Sequence, residues 1–186
     1  VQDLANLLRR RRRSFELLAG HHRGDRFIRR LKQICRSAAG ARVLRAGRIG
    51  RLGAPFAGML DFSYSPSALS QRLGLDVVEL QPELLREKAA GIRPGAVQRF
   101  IDWARSSFRV DPDLQQEELR AAATWSLALE QIVDEHGLDG IAMNFEAVLA
   151  GGAATLPFLG ADRLMRRGIG YAGEGDVLTA ALTAAL

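Results

Sequence analysis

Cysteine occurs once, at Cys35, so the chain can form no internal disulfide and no thiolate metal cage. That excludes zinc-finger and disulfide-scaffold classes. Long apolar runs are also missing, since nothing approaches the roughly 18 to 20 residues that span a bilayer. The opening VQDLANLLRRRRR lacks the order of a secretory signal. These absences predict a soluble, cytoplasmic chain with no membrane partner. No period of about 20 to 50 residues repeats, which argues against a solenoid. Methionine is absent from position 1, and the last residues, LTAALTAAL, halt inside an amphipathic pattern without a glycine, asparagine or proline stop. The expectation is a chain cut at both ends.

The 186 residues have room for one ordinary domain or one domain and part of a second, and 47% hydrophobic with 25% charged residues is a globular composition. Acidic residues are scarce at the start. Residues 1–51 hold 15 Lys and Arg against Asp3, Glu16 and Asp25, a net charge of +12, while the remaining 135 residues carry −7. The five arginines Arg9 to Arg13 would suit phosphate contacts. They interrupt an apolar pattern (Leu4, Leu7, Leu8, then Phe15, Leu17, Leu18), and no aromatics alternate with them. The run is therefore read as solvated surface, and a nucleic-acid partner is argued against.

Short apolar segments alternate with longer amphipathic ones. In residues 24–39, Phe27, Leu31, Ile34 and Cys35 make a helical stripe expected to face a core. Val43, Leu44 and Ile49 then read as a strand running into a loop with Gly47, Gly50, Gly53, Pro55 and Gly58. Pro66 opens a short helix closed by Gly74, and residues 76–80, DVVEL, form a second strand. A helix capped by Asp111, with Pro112 in its first turn, buries Ala122, Trp125, Leu129, Ile132 and Val133 and stops at Gly137. Residues 140–145 form a third strand, residues 157–167 a proline-started helix, GIGYAG a fourth strand, and Asp176 opens another helix. Strands alternating with helices predict an α/β fold, a Rossmann-like parallel sheet with flanking helices.

Ligands of such a sheet gather at the carboxyl ends of its strands. Two segments fall there: residues 143–146, MNFE, and residues 173–176, GEGD. Glycines on both sides of Glu174 allow a sharp turn that leaves its carboxylate free. Glu174 and Asp176, two residues apart beside a helix start, offer oxygen donors to a hard divalent cation. The competing reading makes Asp176 a helix N-cap and Glu174 a solvated loop acid. Gly47, Gly50 and Gly53 are spaced GxxGxxG rather than GxGxxG, and only Glu79 follows as an acid at the end of the next strand, so they read as turn glycines. His21 and His22 are adjacent, which points their rings apart and favours surface over a metal site.

The segments VQDLANLL, AGH at residues 19–21, GRIGRLGAPFAGMLDF and, above all, MNFEAV followed by TLPFLGADRLMRRGIGYAGEGDVLTAALTAAL resemble the L-arabinose/L-fucose isomerase superfamily of sugar isomerases. The resemblance covers nearly the whole chain. It implies the central part of a longer three-domain enzyme: residues 1–140 as a Rossmann-like central domain, residues 141–186 as its last strands and helices leading into a metal-site C-terminal region. A first domain would lie before Val1 and most of the last domain after Leu186. By the same resemblance Glu174 matches a catalytic carboxylate that ligates Mn²⁺, and Asp176 the aspartate that fucose isomerases use as a ligand. Phe145 matches an aromatic lining the sugar pocket, and Met59 a methionine near the substrate. Glu146 acquires no role. The remaining metal ligands, a carboxylate and histidines, are expected beyond Leu186. The implied activity is aldose–ketose isomerisation through a metal-held enediol, with a small sugar as substrate, in a homo-oligomer. A non-catalytic sugar- or nucleotide-binding module and a basic nucleic-acid-binding domain are the alternatives.

Overall fold

A computed structural model describes residues 2–186. They fall into two compact units, one ending at Ala39 and one running Gly40–Leu186. Helix α1 (Gln2–Arg10) and the first part of α2 (Asp25–Ala46) belong to the former. Arg9 to Arg13 are all exposed. The stripe expected to be buried in α2 is not: Phe27 and Ile34 are half-buried, and Leu31 and Cys35 are exposed. Val43 and Leu44 are also helical rather than extended, because α2 continues through an Ala-, Arg- and Leu-rich stretch of good helix formers. Gly40 survives inside this helix because its α-carbon lies against the carbonyl of Ala185, where a side chain would have no room.

The second unit carries strands β1 (Arg48–Leu52), β2 (Asp76–Leu80), β3 (Gly140–Met143) and β4 (Gly170–Gly173). Between them run α3 (Pro66–Leu73), α4 (Glu83–Ala90), α5 (Pro94–Ser107), α6 (Gln116–His136), α7 (Phe145–Ala150) and α8 (Phe158–Arg166), and α9 (Val177–Ala185) follows β4. All strand pairs are parallel, in the order β2-β1-β3-β4. The fold is α/β, a parallel sheet with helices on both faces.

Period-two alternation sorts the strands between two cores. Leu52, Leu80, Ile141 and Met143 meet Leu85 of α4, Leu129, Ile132 and Val133 of α6 and Leu164 of α8. On the other face Ile49, Ala142 and Ala172 meet Leu69 of α3 and Val177, Ala180 and Ala181 of α9. Helix α5 forms an outer layer, packing Val97, Phe100 and Ile101 on Leu119 and Ala123 of α6. Among the described residues, no helix is long and apolar enough to cross a membrane.

Further boundaries differ from the sequence reading, among them that of β4, which begins at Gly170 rather than Gly168. Helix α6 starts at Gln116 rather than beside Asp111, because Gln115 and Glu118 close a reciprocal capping box, whereas Asp111 Oδ1 accepts the Asp113 amide in a local turn. Ala122 is consequently half-buried while Ala123 faces the core. The third strand ends at Met143, since Asn144 caps α7 and makes Phe145 helical. Gly50 is not part of a loop: it lies in mid-strand, where a side chain would strike Leu138 Cδ1 at 2.5 Å.

Candidate functional site

Strand order sets where a ligand can enter. From β1 the chain crosses outward to β2 through α3 on one face, and from β3 it crosses the opposite way to β4 through α8 on the other. The order reverses between β1 and β3, and ligands of open α/β sheets gather at the carboxyl ends of the strands beside such a switch point. Three segments border that edge: the loop after β1 (residues 53–65), the β3–α7 junction, and the turn from β4 into α9.

That last turn holds Glu174 at φ +60°, left-handed backbone that costs a non-glycine residue about 1–2 kcal/mol. Gly175 follows at φ +79°, and a side chain there would meet Pro55 Cα at 2.8 Å. The turn is therefore seated against the β1 loop. The Phe56 amide donates to the Glu174 carbonyl at 3.2 Å, pinning the strained residue from across the edge. Both Glu174 and Asp176 are half-buried. Asp176 is the N-cap of α9, its Oδ1 accepting the Thr179 amide at 2.9 Å, so one of its oxygens does the work that a cap requires.

Phe145, in the first turn of α7, puts its ring between Phe56 (edge-on, centroids 5.3 Å apart) and Phe158 (6.2 Å). A side chain on Gly173 would lie 2.7 Å from the Phe145 ring, so the bare last residue of β4 is what lets this aromatic reach over the sheet end. Glu146 is exposed. Met59, at the start of the short 3₁₀ turn Leu60–Phe62, is exposed farther out on the same loop, with its amide donating to the Phe56 carbonyl at 3.4 Å. The structure thus joins Phe145, the Met59 loop and the Glu174 turn through Phe56.

Two anchors of the β1 loop had no role of their own in the sequence reading, although Asn144 lies in the MNFE segment. Asn144 is buried; its Nδ2 donates to the Ala54 carbonyl at 2.5 Å, while its Oδ1 accepts the Ala147 amide at 3.0 Å. An asparagine before a helix is a recognisable cap signal, but the second bond needs the fold. At the loop's far end Tyr64 donates to Glu79 Oε1 at 3.2 Å, and Glu79 Oε2 accepts from Arg51 Nε at 2.7 Å. Burial first, helped by the Glu79 charge and hydrogen bond and opposed by Arg51, pushes the Tyr64 phenol up to about 12. Glu79 thereby joins strands β1 and β2.

The adjacent histidines belong to the N-terminal unit. His21 and His22 do not point apart: their ring centroids are 4.6 Å from each other, and His21 Nδ1 accepts the Arg23 amide. Among the described residues no three His, Cys, Asp or Glu side chains cluster to hold a metal ion. A cavity of about 830 Å³ is lined by residues between Glu16 and Gln33, in the N-terminal unit.

Known proteins supply the comparison that this geometry invites. Residues 67–186 match the family model described as the L-arabinose isomerase central domain. An L-arabinose isomerase from Halalkalibacterium halodurans is 38% identical over 103 residues, covering 53% of this chain and 20% of that protein. One from Shewanella sp. (strain MR-4) is 30% identical over 178 residues, covering 93% of this chain, and one from Salmonella arizonae is 26% identical over the same length. The chain spans 35% of the length of these last two relatives. The match over residues 67–186 takes in β2, β3, β4 and the Glu174 turn, and on it the chain belongs to the L-arabinose isomerase family.

Proposed function

We propose that the complete protein is an aldose–ketose isomerase and that this chain supplies one side of its site, with a small sugar such as L-arabinose as substrate. The observation that carries the reading is Glu174: a carboxylate held in left-handed backbone at the carboxyl edge of the sheet, braced by the β1 loop and beside an aromatic wall.

Converting an aldose to a ketose moves one proton from C2 to C1 and one from O2 to O1, through an enediol. Glu174 is the residue assigned to the carbon proton: its carboxylate takes it from C2 and returns it to C1. Phe145, in edge-on contact with Phe56, is assigned to wall the sugar pocket with apolar surface, and Met59, exposed on the β1 loop, to contact the sugar. The donor set fits a hard divalent cation in part, with Glu174 and the Asp176 oxygen left free by the cap, both oxygen ligands. Such a cation, Mn²⁺ in the reading drawn from the family, would supply positive charge against the negative charge of the enediol. The remaining ligands are assigned to sequence after Leu186, and the 141–186 segment to the approach to that region. A homo-oligomer in the cytoplasm belongs to the same reading.

Glu174→Gln in the complete protein tests it. The variant keeps the shape but removes the charge and the base. Turnover of pentoses and 6-deoxyhexoses with Mn²⁺ is expected to fall by at least about 10- to 100-fold, the range for disturbing even a metal ligand's supporting partner. Undiminished turnover in a folded variant would refute the assignment.

A further inference from the structure

Asn144 stands at the switch point itself. It follows the last residue of β3, its amide donates to the Leu52 carbonyl at the end of β1, and its side-chain Nδ2 reaches Ala54 two residues farther on. As a helix cap it needs only an oxygen acceptor, which serine, threonine or aspartate would supply as well. The amide group adds a donor, and that donor is spent on a loop carbonyl from another strand rather than on its own helix. Two residues beyond Ala54, Phe56 donates its amide to Glu174. Between them Pro55 lies under Gly175. One continuous run therefore leads from the Asn144 amide group through residues 54–56 to the strained backbone of Glu174.

We infer that Asn144 is a positioning residue for the proposed isomerase site: by holding Ala54 it ties the β1 loop to the end of β3 and sets where the Phe56 amide, and so the Glu174 carboxylate, stands. The inference rests on the reading of Glu174 as a cation ligand. It separates the two duties of Asn144. The cap stabilises α7, whereas the Nδ2 bond fixes the loop against the turn.

Asn144→Ser and Asn144→Thr in the complete protein keep a capping oxygen but cannot span to Ala54, and either one that folds suffices. Mn²⁺ affinity by calorimetry is expected to drop about tenfold or more, as for other groups that orient a metal ligand, with kcat falling and KM for the sugar little changed. The thermal midpoint stays near that of the unsubstituted protein, whereas Asn144→Ala lowers it. In a Glu174→Gln background, Asn144→Ser causes no further loss of Mn²⁺ affinity. Full Mn²⁺ affinity and kcat in the Ser or Thr variants would reduce Asn144 to a cap and overturn the inference, as would an equal loss in the Glu174→Gln background. Should Glu174→Gln alone leave Mn²⁺ affinity intact, the ligand assignment itself fails and the inference with it.

Discussion

Arg163 leaves α8 and lays its guanidinium 4.7 Å from the Phe100 ring and 4.8 Å from Trp103, both on α5. Its Nε is 3.2 Å from Glu130 Oε1 on α6, but off the hydrogen-bond direction, so the pair is a charge contact that leaves that oxygen without a donor. Burial dominates and raises the Glu130 pKa; Arg163 and Arg167 oppose it, and Asp134 adds to it. A raised carboxyl pKa means the folded state holds a proton that the unfolded chain has released, so stability falls as pH rises through that window. Glu130 thus contributes stability that is complete below the ordinary glutamate value of 4.5 and is lost above the raised one. Urea unfolding between about pH 4 and 7 is expected to show this decline, and Glu130→Gln to lack it while unfolding at no lower urea concentration at neutral pH. A Gln variant that is weaker at pH 7 and keeps the slope would show that attraction to Arg163 outweighs burial.

Helices α6 and α8 approach at Gly160, whose amide donates to Ser126 Oγ at 2.9 Å. A side chain there would lie 2.7 Å from the Ser126 carbonyl oxygen and 2.8 Å from its Cα, backbone that cannot yield without shifting a helix. Gly160→Ala is expected to cost about 1–3 kcal/mol by overpacking, read from thermal or urea unfolding, and a change under about 0.5 kcal/mol would show that the crossing has slack. The sequence placed the α8 helix within one residue at each end but was silent on the glycine inside it, because close approach is a property of two helices. The α4 and α5 helices drew no expectation at all, although Pro94 and the Val97, Phe100, Ile101, Ala104 face of α5 were there to be read. Where local signals compete, as at Asp111 against Gln115 or Val43 against an alanine-rich helix, side-chain caps and helix propensity decided the boundary.

At the scale of the whole molecule, the alternation of strands and helices was sufficient to foresee a parallel sheet, and the acids of the GEGD turn to foresee a place at its carboxyl edge. Strand order was not legible. It depends on which faces the crossing helices cover, and it alone reveals the switch point between β1 and β3. Asn144 and Phe56 gained their importance only then, since each acts across loops distant in sequence. Asp176 shows both readings of one residue: the cap foreseen for it is present, and the cation role proposed for it uses the other oxygen. If this edge serves the proposed proton transfer between two sugar carbons, solvent deuterium reports it directly. The complete protein, with Mn²⁺ and an aldose in D₂O, is followed by proton NMR. Ketose is expected to accumulate with solvent deuterium at C1, since a proton carried by a carboxylate exchanges with water, and to do so at least about tenfold more slowly in Glu174→Gln. Ketose free of deuterium, or no ketose from any pentose or 6-deoxyhexose, would contradict the account.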